Sequence, residues 1–159
     1  MAGKVIGTSL NIGYPGNVSR MSDAVIMGFP VGGSSNIKYG EPVSFDPTTG
    51  KIVAVTKDTT GTTIIGFAVR RVGQPYVDSE DGWYYKPGDV ADVLVRGSIV
   101  VEIETATGIA ARGGVYLDTT TGKITSVSTS NTAIPNAIFS TGKVDANKTV
   151  EVTVTERGI

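Results

Sequence analysis

Glycine, proline and runs of threonine interrupt every stretch of this chain that is long enough to form an amphipathic helix. The 159 residues include 21 glycines and 7 prolines, and no window keeps apolar residues at the spacing i, i+3, i+4, i+7 without an interruption. Valine, isoleucine and threonine recur between the glycines; β-branched residues suit pleated sheets, and glycine suits the turns. The sequence therefore predicts an all-β fold, a compact antiparallel β-barrel or sandwich built from two related halves with an extended N-terminal arm.

The pattern predicts ten strands, each bounded by turn residues. The last strand is the clearest, because Val150, Val152 and Val154 alternate with polar residues, which predicts one buried and one wet face. A bend or bulge is expected at Arg96–Ser98, between the fifth and sixth of these strands. The predicted strands are Ala24–Met27, Pro42–Asp46, Ile52–Thr56, Thr63–Val72, Ala91–Arg96, Ile99–Glu104, Gly114–Asp118, Ile124–Ser128, Ala137–Ser140 and Thr149–Glu156.

Residues 40–52 reappear, with substitutions, at residues 113–124. Each copy predicts a β-hairpin, because an aspartate can bond the backbone of its own turn and a glycine supplies the positive φ that closes it. An offset of 72 aligns Val43 with Val115, Asp46 with Asp118, Thr49 with Thr121, Gly50 with Gly122, Lys51 with Lys123 and Ile52 with Ile124. Chance recurrence in a chain rich in threonine and glycine is the alternative, but matches on both sides of the turn favour duplication.

The repeat also suggests how the chain is organised. One copy alone is too small to bury much core, so the two copies are expected to pack together, with Val43, Ile52, Val115 and Ile124 facing a common interior. We expect an N-terminal arm over residues 1–22 and a single β-domain over residues 23–159, with half-repeats at about 40–104 and 113–159.

Composition argues against several classes of function. The chain has no cysteine and no histidine, which removes disulfides, zinc thiolates and the usual general base. A net charge of −1 with only 18% charged residues argues against nucleic acid as a partner. We therefore expect no catalytic residue, no cofactor and no metal site. The acidic segment Asp78–Gly82 lacks the ligand spacing of a calcium loop, and a solvated loop is the favoured interpretation.

No membrane segment or secretion signal is expected either. The longest apolar-leaning run, Ala24–Val31, contains a glycine and a proline, and it is far shorter than the ~20 residues that span a bilayer. Residues Met1–Leu10 lack a secretory apolar region, so synthesis in a cytoplasm is expected.

Two stretches are candidates for contact with a partner. Residues Gly3–Arg20 are rich in glycine, serine and asparagine, and they carry apolar side chains that suit a groove on a neighbour; the alternative is that the stretch packs across its own sheet. The second stretch, Gln74–Pro87, holds the only tryptophan and three of the six tyrosines, and aromatic residues in a long loop suit recognition. Its alternative is that Trp83 and Tyr85 turn inward. The partner-binding hypothesis comprises Leu10, Ile12, Tyr14, Pro15, Tyr76, Trp83, Tyr84 and Tyr85.

The order of several short motifs resembles the structural cement, or head decoration, proteins of tailed bacteriophages. The resemblance runs over nearly the whole chain, and its motifs begin at Tyr14-Pro15-Gly16-Asn17, Gly40-Glu41-Pro42-Val43, Ile65-Gly66-Phe67-Ala68, Tyr85-Lys86-Pro87-Gly88-Asp89, Gly97-Ser98-Ile99 and Gly113-Gly114-Val115. The resemblance implies a β-rich virion protein on the capsid exterior. It would be a small oligomer, a trimer or dimer, that binds the major capsid protein and bridges its subunits. The family offers no catalytic residues to carry over.

Two other classes of protein fit the same composition. A carbohydrate-binding or fibre-type β-module would use Trp83 and Tyr84 as stacking platforms. A hydrolase would need two carboxylates about 5–10 Å apart in a cleft, and the sequence singles out no such pair.

Overall fold

A computed structural model describes residues 12–72, 77–78, 82–104 and 107–155. The described chain is all-β apart from one 3-10 turn at Gly61–Thr63, and its main antiparallel sheet curls into a half-barrel. The strands are β1 (Val18–Pro30), β2 (Ile37–Lys38), β3 (Pro42–Asp46), β4 (Lys51–Ala54), β5 (Ile64–Ala68), β6 (Val77–Asp78), β7 (Gly82–Tyr85), β8 (Val90–Glu102), β9 (Gly114–Leu117), β10 (Ile124–Thr125), β11 (Thr132–Phe139) and β12 (Thr149–Val154). The predicted fold class is confirmed.

The main sheet consists of two units with the same strand order. Its neighbours run β10-β9-β11-β12-β8-β5-β3-β4, with β1 paired to β8 off this path. Read from its outer edge, each unit is a hairpin (β4-β3 or β10-β9), then a third strand (β5 or β11), then a fourth (β8 or β12). The units join where β8 and β12 pair, from Gly97 opposite Val154 to Glu102 opposite Thr149. The two related halves expected from the repeat are therefore visible in the topology.

Strand β8 is the central strand of the main sheet and pairs with three other strands. It pairs with β1 along its length, with β5 at Val93 and Leu94, and with β12 beyond Gly97. The sequence predicts two strands here, and the structure joins them through Gly97, which has φ +117°. A Cβ on Gly97 would lie 2.9 Å from Ala24 Cα, so only glycine lets β1 cross this closely.

The two repeated hairpins have the same local geometry, as predicted. Asp46 accepts the backbone N–H of Thr48 at 2.9 Å, and Asp118 accepts that of Thr120 at 2.7 Å. Each loop closes on a glycine with positive φ whose N–H donates to the aspartate carbonyl. The strand registers match as well, since Phe45 faces Ile52 and Leu117 faces Ile124. The hydroxyl of Thr49 and the amide of Thr48 hold the pKa of Asp46 below its usual value.

The expectation of one common interior is wrong. Val43 and Ile52 belong to one core cluster, together with Val93 and the aromatic ring of Tyr85. Val115 and Ile124 belong to a second cluster, which includes Phe67 and Phe139. The reason is topological: β4 and β10 lie at opposite ends of the curled sheet, so the inward faces of their hairpins meet different neighbours. Strand β8 contributes to both clusters.

Strand β12 confirms the apolar face predicted from its alternation. Val150 and Val152 are fully buried, and Val154 is nearly so. The opposite face is polar but not uniformly exposed to solvent, because Glu151 is only 6% exposed. The Ser19 hydroxyl donates to Glu151, and Arg20 Nε lies 3.2 Å from its Oε1. The N-terminal part of β1 therefore covers a carboxylate that the pattern placed in solvent.

The described part of the N-terminal arm lies against its own sheet. Gly16 N–H donates to the Val100 carbonyl, and Val100 N–H donates to the Asn17 carbonyl, at 2.8 and 2.9 Å. Strand β1 then begins at Val18, inside the segment 1–22 that the sequence assigns to the arm, and before the predicted start at Ala24. Residues 1–11 lie outside the described residues. No helix in the described ranges has the length and apolar character needed to cross a membrane.

Candidate interaction site

Part of the aromatic loop is built as strands. Strand β7 pairs with β2, with Tyr85 opposite Ile37, and the Tyr39 N–H donates to the Trp83 carbonyl at 3.1 Å. On its other side β7 pairs with β6, from Val77 opposite Trp83 to Asp78 opposite Gly82. Consecutive aromatic residues favour strand, and the sequence analysis missed β2, β6 and β7 because each is only two to four residues long.

Tyr85 belongs to the core, which agrees with the alternative that its side chain turns inward. It is fully buried, its hydroxyl donates to the Val69 carbonyl at 2.7 Å, and its ring meets Tyr39 edge-on at 5.1 Å. Burial raises the pKa of Tyr85 to about 12, so the hydroxyl stays a donor at neutral pH. Tyr84 is also buried, at 8% exposure. These two tyrosines are therefore buried and offer a partner little accessible area.

Among the residues that the structure describes, two aromatic rings are exposed, and both lie beside one arginine. Tyr14 is 68% exposed and Trp83 is 41% exposed. The guanidinium carbon of Arg70 lies 4.9 Å from the centre of the Tyr14 ring and 5.8 Å from that of Trp83. Both distances are within the range of cation–π attraction. We call these three residues the aromatic clamp.

A tight turn fixes the position of Tyr14. The Asn17 N–H donates to the Tyr14 carbonyl at 3.0 Å, and Pro15 followed by Gly16 at φ +85° suits a type II turn. The Gly16 carbonyl accepts the backbone N–H of Arg70 at 2.7 Å. A Cβ on Gly16 would lie 2.8 Å from that same nitrogen, so glycine is required both by the turn and by the packing.

A cleft of about 100 Å³ lies next to the clamp, between the two halves. Glu41, Glu102 and Glu104 line it together with Lys38 and Lys123. Desolvation raises the pKa of Glu41, against the opposing effect of the Lys38 N–H, which donates to its Oε2 at 3.0 Å. Within the described ranges, no three His, Cys, Asp or Glu side chains are grouped so that they could hold a metal ion.

The structure brings together part of the predicted set. Tyr14 and Trp83 both lie close to Arg70, and Pro15 follows Tyr14 in the turn. Ile12 is half-buried, with its N–H donated to Asp145 at 3.3 Å, and it lies outside the clamp. Leu10 and Tyr76 lie outside the described residues, as does most of the acidic segment Asp78–Gly82.

Sequence reasoning missed Arg70 as a site residue. It stands two residues after the end of β5, and nothing in its neighbourhood along the chain marks it as different from Arg71. A signal is absent from the sequence because the three positions of the clamp are far apart along the chain, and only the fold joins them.

A solved structure shares the fold of this chain. The chain aligns with a chain of a solved structure titled "The capsid of Myoviridae Phage XM1", with a TM-score of 0.73 and 24% identity over 99% of both chains. The two chains therefore share the same all-β fold. A search of curated proteins gives no match.

The family follows from the sequence itself. The profile of the family described as structural cement protein (E217 gp24/Pam3 gp6) matches residues 3–155. The chain belongs to this family of bacteriophage structural proteins, as its motifs suggested.

Proposed function

We propose that this protein binds the outside of a phage head as a small oligomer and stabilises contacts between major capsid subunits. The observation that carries the proposal is the family match over residues 3–155. Synthesis in the host cytoplasm and assembly onto a preformed shell would follow. A binding role without catalysis agrees with a chain that lacks histidine and cysteine.

The aromatic clamp is the best-supported contact surface in the described chain. Tyrosine, tryptophan and arginine are the residues most enriched at interface hot spots. Tyr14 and Trp83 are both held on short, hydrogen-bonded segments, so little conformational entropy is lost when a partner covers them. An exposed tryptophan next to an exposed tyrosine would also bury a large apolar area in such a contact.

The carbohydrate-binding alternative is weakened by the burial of Tyr84. Its ring is not available as a stacking platform, and the exposed rings of Tyr14 and Trp83 both lie beside the guanidinium of Arg70. A sugar stacked on the Arg70 side of either ring would have to displace that contact.

The test is binding of purified protein to undecorated heads of the parent phage, measured by co-sedimentation. Tyr14→Ala and Trp83→Ala should each weaken binding tenfold or more, as hot-spot truncations do. Met21→Ala and Ile26→Ala are matched controls, since these side chains are 69% and 39% exposed. Thermal melting would show that all four variants are folded.

Two results would contradict the proposal. Wild-type protein that does not bind heads would exclude the cement role for this chain. Clamp variants that bind heads as tightly as wild type and the controls would place the contact elsewhere. Light scattering of the free protein would test the expected trimer or dimer separately.

A further inference from the structure

Hydrogen bonds hold the backbone on both sides of the Val69–Arg70 peptide. The backbone N–H of Arg70 is bonded to Gly16, and the carbonyl of the preceding Val69 is bonded to the Tyr85 hydroxyl. The rings of Tyr14 and Trp83 lie close to the Arg70 guanidinium. A guanidinium is planar and carries five N–H donors at its edge, and these donors are what recognises an acceptor.

The guanidinium edge of Arg70 has no acceptor among the residues that the structure describes. Three other arginines each have a carboxylate: Arg20 pairs with Glu151 at 3.2 Å, Arg71 with Asp92 at 3.7 Å and Arg96 with Asp23 at 3.1 Å. Arg70 forms no described ion pair or side-chain hydrogen bond. It is also less exposed than Arg71, its immediate neighbour.

Apolar groups surround much of the Arg70 side chain. It lines an open depression of about 350 Å³ together with Lys38 and Glu102. Tyr14, Pro15, Tyr39 and Trp83 form the rest of the lining and lower the water content around a ligand. The apolar walls of the depression strengthen a charge pair formed inside it.

We propose that Arg70 is a receptor for a carboxylate, and that the carboxylate is an aspartate or glutamate on an acidic segment of the head protein that this chain covers. The inference rests on the proposed function and names the chemistry of its partner. The guanidinium edge matches a carboxylate with two parallel hydrogen bonds. Tyr14 and Trp83 would then exclude water around the pair, as the residues around a hot spot do.

Binding to undecorated heads tests the inference through three variants. Arg70→Gln removes the positive charge and should weaken binding at least thirtyfold. Arg70→Lys keeps the charge but loses the paired guanidinium donors, and it should weaken binding about tenfold. Arg71→Lys is the matched control, because it makes the same exchange at an adjacent, exposed and already paired arginine. It should change binding less than twofold.

Cross-linking then identifies the partner group. Arg70→Lys places an amine in the depression, and a carbodiimide joins such an amine to a carboxylate in direct contact. With the variant at saturating concentration on heads, mass spectrometry should find residue 70 linked to an aspartate or glutamate of the head protein. The same exchange at Arg71 should give no such link.

The outcomes separate the inference from the proposed function. Wild-type protein that fails to bind heads overturns both. Wild-type binding that Arg70→Gln leaves unchanged overturns the inference alone. A link from residue 70 only to another copy of this chain, or no link at all, also overturns it.

Discussion

Glu41 shows how burial acts on a single residue. Its carboxylate lies in the cleft between the halves, near Glu102, and it accepts one backbone N–H from Lys38. Burial penalises the charged form, and the pKa of Glu41 is raised above its ordinary value near 4.5. A glutamate with a raised folded pKa contributes most to stability below that ordinary value. The contribution falls as pH rises from 4.5 through the folded pKa.

Glu41→Gln should therefore reduce the loss of stability between pH 4 and pH 7. Glutamine is neutral throughout this range, and its side-chain oxygen can still accept the Lys38 N–H. The measurement is the difference in Tm between the two pH values, compared with the same difference in wild type, so that the other carboxylates cancel. A variant with an unchanged difference would show that the charged form of Glu41 is well solvated.

At the level of elements, the two hairpins allow the same substitution to be compared at equivalent positions. Gly50 and Gly122 are equivalent, with φ of +68° and +74°. A Cβ on Gly50 would meet no atom within 4 Å, while a Cβ on Gly122 would lie 3.2 Å from the backbone nitrogen of Lys57. The two turns are alike locally, and only the second is packed against another loop.

Gly50→Ala should cost about 1 kcal/mol from the left-handed backbone alone. Gly122→Ala should cost more, because the Lys57 segment must also shift. Urea denaturation of the two variants gives both free energies of unfolding. An equal cost would mean that the Lys57 segment can move away from the added methyl group without loss of stability.

Strand β12 gives the second prediction at this scale. Val152 is fully buried between Ile99 of β8 and Phe139 of β11. Val152→Asp places a charge there without a partner, which costs several kcal/mol of a total near 5–15 kcal/mol, so the protein should unfold or aggregate. Thr155→Asp, on an exposed position just beyond the strand, should stay soluble and melt near the wild-type temperature. A soluble Val152→Asp variant with an unchanged Tm would contradict the assigned core.

For the whole molecule, a truncation of the N-terminal arm can test binding separately from folding. The bonds from Gly16 and Asn17 to Val100, and the pairing of β1 with β8, lie beyond residue 15. Tyr14 and Pro15 lie before that limit and belong to the proposed contact surface.

Removal of residues 1–15 should leave the β-core folded and weaken oligomer formation or head binding. The measurements are thermal melting, light scattering and co-sedimentation with undecorated heads. Truncated protein that decorates heads as well as the full chain would show that the arm is not a connector. Truncated protein that does not fold would show that the arm is part of the core.

Much of the local structure could be predicted from the sequence alone, because it follows from short patterns. Alternating valines were enough to predict the apolar face of β12, and an aspartate four residues before a glycine was enough to predict both hairpin turns. The offset of 72 anticipated that the halves are related, and the order of motifs anticipated the family. The three-dimensional fold was needed to show that the hairpins face separate cores, that Ser19 and Arg20 cover Glu151, and that Tyr85 turns inward while Trp83 stays exposed. It alone placed Tyr14, Arg70 and Trp83 together. The physical reason is that a pattern shows which side of a strand is apolar, whereas the order of strands in the sheet decides which distant residues cover it.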